Sequence, residues 1–255
     1  MFKLSIIVPV YNEAKHLAEV LHFIFQSPCP IEREWILVDD YSNDGSLEIL
    51  QDLQAQYKFE LIALSQNIGK GAAIRAGLPR ASGQLIMIQD ADFEYDPHDI
   101  PKLLQPFLDG CADVVYGSRF KTSALQVHRT YHYFINRLLT ILSNLLSGMY
   151  LTDMETCYKV FRADLLRSMN LRSDRFGLEV ELTAYVAKTS ARVFELPITY
   201  YPRTYLQGKK ISWKDGIAAL FHLFRFNLWV NRDEAFSNLP RAYQPGHQGR
   251  PAFSN

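Results

Sequence analysis

Gln89-Asp90-Ala91-Asp92-Phe93-Glu94-Tyr95-Asp96-Pro97 follows the apolar run Leu85-Ile86-Met87-Ile88, and the junction between the two decides the fold. An unbroken apolar run bounded by polar turns reads as a buried parallel strand. The carboxylates of Asp90 and Asp92 then emerge at its carboxyl end, where open α/β sheets keep their ligands. Two aspartates one residue apart can turn hard oxygens onto one divalent cation, with a diphosphate completing the shell as it does around Mg²⁺. The stretch points to a metal and a nucleotide. Asp-x-Asp ahead of a proline is also ordinary turn chemistry on a solvated loop, so its neighbours have to separate the two readings.

Working outward, the same rhythm repeats. The apolar run at 4–10 ends in Tyr11-Asn12-Glu13, with Asn12 placed to cap a periodic segment over 13–25. A strand at 35–38 runs into Asp39-Asp40-Tyr41-Ser42-Asn43-Asp44-Gly45 and a helix over 46–57. A third strand at 59–64 is followed by the turn Gln66-Asn67-Ile68-Gly69-Lys70-Gly71 and a helix over 72–79. Strands that recur about every 25–30 residues, apolar throughout rather than alternating, predict a mostly parallel central sheet with helices on both faces, linked by right-handed crossovers. Beyond it the spacing predicts a helix over 99–108, a strand at 112–117 ending in Ser118-Arg119-Phe120, a helix over 131–147, an edge strand at 156–161, a helix over 178–188, a strand at 192–198 and an aromatic helix over 213–230. Residues 231–255, polar and carrying Pro240, Pro245, Gly246, Gly249 and Pro251, read as a flexible tail.

The 255 residues are 48% hydrophobic and 21% charged, enough for one large α/β domain. Twenty-seven basic residues balance twenty-seven acidic ones, so there is no global field of the kind nucleic-acid binders carry. Cys29, Cys111 and Cys157 are odd in number and contain no CxxC pair, which argues against a zinc site and a disulfide framework and fits a reducing cytosol. No uninterrupted apolar stretch reaches the roughly 18–20 residues needed to span a bilayer. The expected location is cytoplasmic, free or peripheral on the inner face of the membrane. The first βα turn lacks GxGxxG, which disfavours a dinucleotide dehydrogenase, and the 66–71 turn lacks the GxxxxGK[ST] spacing of a nucleotide triphosphatase.

Seven stretches, in order, resemble the family 2 inverting glycosyltransferases, and within them the polyprenyl-phosphate sugar transferases similar to dolichol-phosphate mannose synthase. They are Ser5-Ile6-Ile7-Val8-Pro9-Val10-Tyr11-Asn12-Glu13, Val38 through Ser46, Asn67-Ile68-Gly69-Lys70-Gly71-Ala72-Ala73, Gln89 through Pro97, Gly117-Ser118-Arg119-Phe120, Thr152-Asp153-Met154-Glu155-Thr156-Cys157-Tyr158-Lys159, and Pro197 through Lys210. The resemblance implies the glycosyltransferase A fold, a Mg²⁺ or Mn²⁺ ion, a nucleoside-diphosphate sugar donor (a UDP- or GDP-sugar) and a polyprenyl-phosphate acceptor. It divides the chain into one catalytic domain over 1–230, with a nucleotide-sugar half (1–120) and an acceptor half (121–230).

On the donor side, Pro9, Tyr11 and Glu13 after the first strand and Asp39 or Asp40 after the second are placed to form the nucleoside pocket, although Asp39, Asp40 and Asp44 are also residues that cap a helix. Lys70 sits at a helix amino terminus that attracts anions, either near the donor or in solvent. Asp90, Ala91 and Asp92 face the donor diphosphate; Asp90 and Asp92 hold the metal, which would act as a Lewis acid, and by resemblance Glu94 joins or orients the metal shell. Arg119 and Arg129 are candidates for phosphate recognition, since a guanidinium can pair two phosphate oxygens. Asp153 corresponds to the family's acceptor-side aspartate. It is a general base, a positioning group, or a cap of the Thr156 turn, and a phosphate acceptor already ionised near neutral pH needs no strong base. Arg203, Lys209 and Lys210 make a basic cluster, which the resemblance implies closes over the diphosphate and which as a plain basic loop lies in solvent.

The helix over 213–230 and the apolar residues Tyr133, Phe134, Leu138, Leu139, Leu142, Leu145 and Leu146 offer two amphipathic faces, suited to core packing, a membrane interface, a membrane-protein partner or an oligomer contact. Two rival readings stand beside the lipid-linked transferase: the same donor chemistry on a soluble glycan, and a noncatalytic nucleotide-sugar-binding protein.

Overall fold

Apolar runs without an alternating polar face condense into the middle of one sheet. A computed structural model describes residues 2–121, 130–175, 177–202 and 213–246. Its strands are β1 (Lys3–Val10), β2 (Glu32–Asp39), β3 (Glu60–Ala63), β4 (Leu85–Ile88), β5 (Val114–Ser118), β6 (Lys159–Arg162) and β7 (Val193–Pro197). They form a seven-stranded sheet in the order β3-β2-β1-β4-β6-β5-β7. Every residue of β4 is buried. Successive side chains on a strand point to opposite faces, so both faces of the sheet are covered here. The helices are α1 (Leu17–Gln26), α2 (Ser46–Gln54), α3 (Lys70–Gly77), α4 (Ile100–Leu108), α5 (Thr130–Ser147), α6 (Ala163–Ser168), α7 (Leu178–Val186), α8 (Trp213–Phe224) and α9 (Arg232–Ala235).

β1, β2, β3 and β4 pair in parallel, as do β5 and β7, whereas β6 runs antiparallel to both β4 and β5. The expected edge strand at 156–161 is therefore central: Met87 and Val115 both pair with Val160. Hydrophobicity records only that a strand is buried, and both positions satisfy that. This strand also joins the two halves of the chain into one sheet.

Three further expectations change. Asn12 does not cap α1, which begins at Leu17; its backbone is left-handed at φ 51° and its side chain accepts the Asn43 amide at 2.9 Å, tying the turn after β1 to the turn after β2. The aromatic helix over 213–230 is interrupted after Phe224 by a widened turn, Arg225–Trp229, closed by the Val230 amide on the Arg225 carbonyl at 3.1 Å. The tail is not loose through residue 246. Asn231 and Glu234 form a reciprocal capping box that starts α9. Phe236 and Tyr243 are buried, Phe236 bridges to Met169, and the Tyr243 hydroxyl donates to Asp164 at 3.0 Å. Two well-spaced aromatic anchors suffice to dock a segment whose average composition is polar; residues 247–255 lie outside the described residues.

The turn into α3 is shaped by close packing. Gly69 is left-handed at φ 125°, and a Cβ there would strike the Asp174 carbonyl; a Cβ on Gly71 would strike the carbonyl of Ser173. Glu181, buried in α7, holds that covering segment by accepting the amides of Arg172 and Ser173 at 2.7 and 2.8 Å. Alanine normally stabilises a helix relative to glycine. Gly71→Ala is expected instead to destabilise by about 1–3 kcal/mol through overpacking, read from urea denaturation. By the same measurement Phe236→Ala costs about 3 kcal/mol, a loss that a free tail would not show.

Candidate active site

The carboxyl ends of β1, β2, β4 and β5 open on one edge of the sheet, and the reversed β6 starts there. Residues 153–158 thus arrive beside the turns that follow β4 and β5, bringing the Asp153 motif against the Asp90–Asp92 loop.

The turns after β1 and β2 are laced together. The Asn12 amide donates to Ser42 Oγ at 3.0 Å, the Glu13 amide to Ser46 Oγ at 3.0 Å and the Ala14 amide to Asp44 Oδ2 at 3.0 Å. Asp44 also accepts the Ser46 amide at 3.0 Å, so it serves the start of α2. Pro9, Tyr11 and Glu13 are in this way brought beside Asp39, which pairs with Val10 in the sheet register. The adjacent aspartates have different work. Both oxygens of Asp40 are committed to the turn before α3, accepting Asn67 Nδ2 at 2.8 Å and the amides of Ile68 and Gly69 at 2.9 and 2.8 Å. Asp39 is fully buried; its Oδ2 accepts the Ser42 amide at 3.1 Å and its Oδ1 has no hydrogen-bond partner. A buried acceptor left without a donor is costly, and a nucleoside's hydroxyl or ring N–H groups are suitable donors.

Lys70, at the start of α3, is an ion-pair hub. Its ammonium lies 2.8 Å from Asp90 Oδ1 and 3.1 Å from Glu179 Oε1 of α7. Burial opposes the charge, yet Asp90 and Glu179 hold the Lys70 ammonium well above its ordinary range. In the loop after β4, Ala91 and Asp92 are buried and Asp92 Oδ1 accepts the Glu94 amide at 2.9 Å. Glu94 Oε2 accepts the Tyr200 hydroxyl at 2.8 Å, and its carbonyl accepts the Tyr201 amide at 2.8 Å. No cluster of three metal-ligating side chains forms among the described residues. Of the two roles read for Glu94, joining or orienting the metal shell, the Tyr200 hydroxyl on its Oε2 suits an orienting one. Asp90 and Asp92 remain a donor set of hard oxygens that fits Mg²⁺ or Mn²⁺ when phosphate oxygens and water fill the other positions.

Arg119 and Asp153, read separately in the sequence, are one unit. Asp153 accepts Arg119 Nε and Nη2 at 2.7 Å each and the Arg119 amide at 2.9 Å, and both side chains are buried. Burial opposes the guanidinium charge, but Asp153 outweighs it and keeps Arg119 charged beyond its ordinary range. Glu195 of β7 fixes the turn from behind, accepting the Thr152 and Asp153 amides at 2.8 and 3.0 Å. The Arg119 guanidinium also lies 5.1 Å from the Tyr200 ring centroid, so Glu94, Tyr200, Arg119 and Asp153 form a chain from one half of the site to the other.

Glu155, two residues on, has one buried oxygen without a partner; burial, reinforced by Glu179, pushes its carboxyl up to about 7. The Cys157 thiol is buried and pushed up well beyond its ordinary range by that burial, so it is a packing residue. Sequence reading missed Glu179 and Glu195. The one available signal was the charge inside the apolar run Leu178-Glu179-Val180-Glu181-Leu182, since a buried glutamate needs a partner. Arg129, Arg203, Lys209 and Lys210 lie outside the described residues.

The two amphipathic helices are split between core and surface. On α5, Leu139 is buried, whereas Phe134, Leu138, Ile141 and Leu145 are 65%, 53%, 49% and 75% exposed and recur at helical spacing. Phe221, Phe224, Leu228 and Trp229 are exposed on α8 and the turn after it. Among the described residues, no helix is long and apolar enough to cross a membrane.

Residues 5–169 match the family described as Glycosyl transferase family 2. A dolichol-phosphate mannosyltransferase of Pyrococcus furiosus is 25% identical over 230 residues, covering 89% of this chain and 64% of that protein. Glycosyltransferase AglJ of Haloferax volcanii is 28% identical over 203 residues, covering 78% of this chain and 63% of that protein. The chain thus spans a little under two thirds of the length of these two relatives. Among solved structures, glucosyl-3-phosphoglycerate synthase of Mycobacterium tuberculosis, in complex with Mn²⁺, UDP and glucosyl-3-phosphoglycerate, superposes with a TM-score of 0.67 at 15% identity, over 89% of this chain and 80% of that one. With the seven-stranded sheet and the Asp90–Asp92 loop at its carboxyl edge, these matches show that the chain belongs to glycosyl transferase family 2 and is a glycosyltransferase of the glycosyltransferase A fold.

Proposed function

We propose that this glycosyltransferase moves a hexose, with inversion, from a UDP- or GDP-sugar to a polyprenyl phosphate at the cytoplasmic face of a membrane, using Mg²⁺ or Mn²⁺. The observation that carries the acceptor side is the double character of α5. Its inner face holds the Asp153 turn, with Arg137 Nη1 donating to the Thr152 carbonyl at 3.1 Å and Thr140 Oγ1 accepting the Met154 amide at 3.2 Å. Its outer face carries the exposed apolar stripe. One helix therefore couples the acceptor-side aspartate to a surface suited to a lipid interface. The name of the Pyrococcus furiosus relative, a dolichol-phosphate mannosyltransferase, supports the same reading.

Asp39 and the turns after β1 and β2 would receive the nucleoside, and Lys70 the neighbourhood of the diphosphate. Asp90 and Asp92 would hold the divalent cation, which supplies Lewis-acid charge to the departing diphosphate. Asp153 has three N–H groups of Arg119 on its carboxylate, which hold it as the partner of the guanidinium. A phosphate monoester titrates for the second time near about pH 6, so the attacking oxygen arrives ionised. These two facts favour Asp153 as the group that aims Arg119, and Arg119 as the group that meets acceptor or donor phosphate.

The transfer is tested by incubating purified protein with Mn²⁺ or Mg²⁺, a panel of UDP- and GDP-sugars, and polyprenyl phosphate in vesicles, a soluble glycan or no acceptor. Wild type is expected to form glycolipid and Asp92→Ala to lose at least about 100-fold in kcat/KM, a size seen when charge stabilisation at a leaving group is removed. Donor turnover only on a soluble glycan would move the acceptor off the membrane, and absence of metal-dependent donor binding would sink the enzymatic assignment. For the Arg119–Asp153 unit, Arg119→Lys and Asp153→Asn are each expected to cost about 100-fold, and the double variant no more than either single one. An Asp153→Asn loss far beyond that of Arg119→Lys, with the acid limb of the pH profile abolished, would instead make Asp153 a base.

A further inference from the structure

The Asp90–Asp92 site contains a cation of its own. The Lys70 ammonium lies 2.8 Å from Asp90 Oδ1 and 3.1 Å from Glu179 Oε1, with side-chain exposures of 19%, 24% and 9% for Lys70, Asp90 and Glu179. It is held there by the fold. Gly69 and Gly71, on either side of Lys70, lie against the backbone of 173–174 so closely that neither has room for a Cβ, which prevents the first turn of α3 from drawing back. Glu179 comes from α7, a helix whose every residue is buried.

Two cations converging on one carboxylate repel each other, the more strongly where water is partly excluded. A divalent ion approaching Asp90 by itself meets the Lys70 charge. A diphosphate adds negative charge sufficient for metal and ammonium together. The second partner matters equally, because a partly buried ammonium that loses its only counter-ion is strongly unfavourable. Glu179 Oε1 already accepts the ammonium, and its Oε2 is buried with no hydrogen-bond partner, so this carboxylate has capacity to spare.

We infer that Lys70 is a built-in counter-cation that makes the divalent ion bind with the nucleoside diphosphate rather than alone, and that Glu179 is a positioning residue that keeps the ammonium in place when Asp90 turns to the metal. This rests on the reading of Asp90 and Asp92 as the metal pair. Lys70 thereby sets the order in which metal and donor assemble, a property that neither aspartate has by itself.

The test is Mn²⁺ titration of the whole chain followed by the electron paramagnetic resonance signal of the free ion, without nucleotide and with saturating UDP or GDP. Wild type is expected to bind Mn²⁺ at least about tenfold more tightly with one of the nucleotides than without. Lys70→Met should bind Mn²⁺ alone at least about tenfold more tightly than wild type, and the enhancement by nucleotide should shrink by a similar factor. Lys70→Arg, which keeps the charge, should restore weak binding of the ion alone, and Glu179→Gln should weaken Mn²⁺ binding in the presence of nucleotide. Thermal melts of each variant establish that it is folded. Lys70→Met binding Mn²⁺ alone no more tightly than wild type, while wild type still binds Mn²⁺ with nucleotide, overturns the inference and leaves the metal pair standing. A wild type that binds no Mn²⁺ under either condition removes the metal pair itself.

Discussion

The antiparallel strand β6 is the constraint on which the site depends. A parallel strand between β4 and β5 would deliver its preceding residues to the amino edge of the sheet, away from the loops that follow β1, β2, β4 and β5. Running the other way, β6 begins at the carboxyl edge, and the turn that carries Asp153 is set down beside Arg119, the residue after β5. The strand is locked by ladders on both sides, and Lys159, buried in the middle of the sheet, satisfies its ammonium on the Thr156 carbonyl and over the Tyr116 ring. Sliding β6 by one residue would exchange its faces and break this arrangement.

Charge inside the site is organised in pairs that cross from one half of the chain to the other. Lys70 joins Asp90 to Glu179, Arg119 joins Asp153, and the Tyr200 hydroxyl joins Glu94. Each member is partly or fully removed from water, so each needs its partner to remain charged or satisfied. Such pairs add little net stability, but they hold side chains in one orientation. Preorganised charge of this kind is what group transfer from a diphosphate requires.

The framework was legible because it rests on local signals. Continuous apolar runs at 35–38 and 85–88 became β2 and β4, and the Asp39–Gly45 and Asn67–Gly71 turns were found where the helices start. Legibility failed where the deciding partner is distant in sequence. Asp39 and Asp40 are indistinguishable as neighbours in the chain, yet Asp40 is consumed by amides 28 and 29 residues away and Asp39 keeps an unpartnered oxygen. The glycines at 69 and 71 permit a close backbone approach, and only the fold shows that the approaching backbone is that of residues 173–174. Residues 231–246 were averaged into a polar tail because Phe236 and Tyr243 are too few to raise a compositional signal, although each fills a specific buried place.

The sequence by itself determined the α/β class, the parallel βα rhythm, the carboxylates at the end of β4 and the motif set of the family, since each follows from periodicity, turn chemistry or residue order within a short window. Only the tertiary structure decided that β6 is central and reversed, that Arg119 and Asp153 are a single bidentate unit, that Glu94 faces Tyr200 and that Lys70 is shared with Glu179. Those outcomes are contacts between residues about 30 to 110 positions apart. Burial and hydrogen-bond satisfaction choose among such contacts only once the sheet has closed.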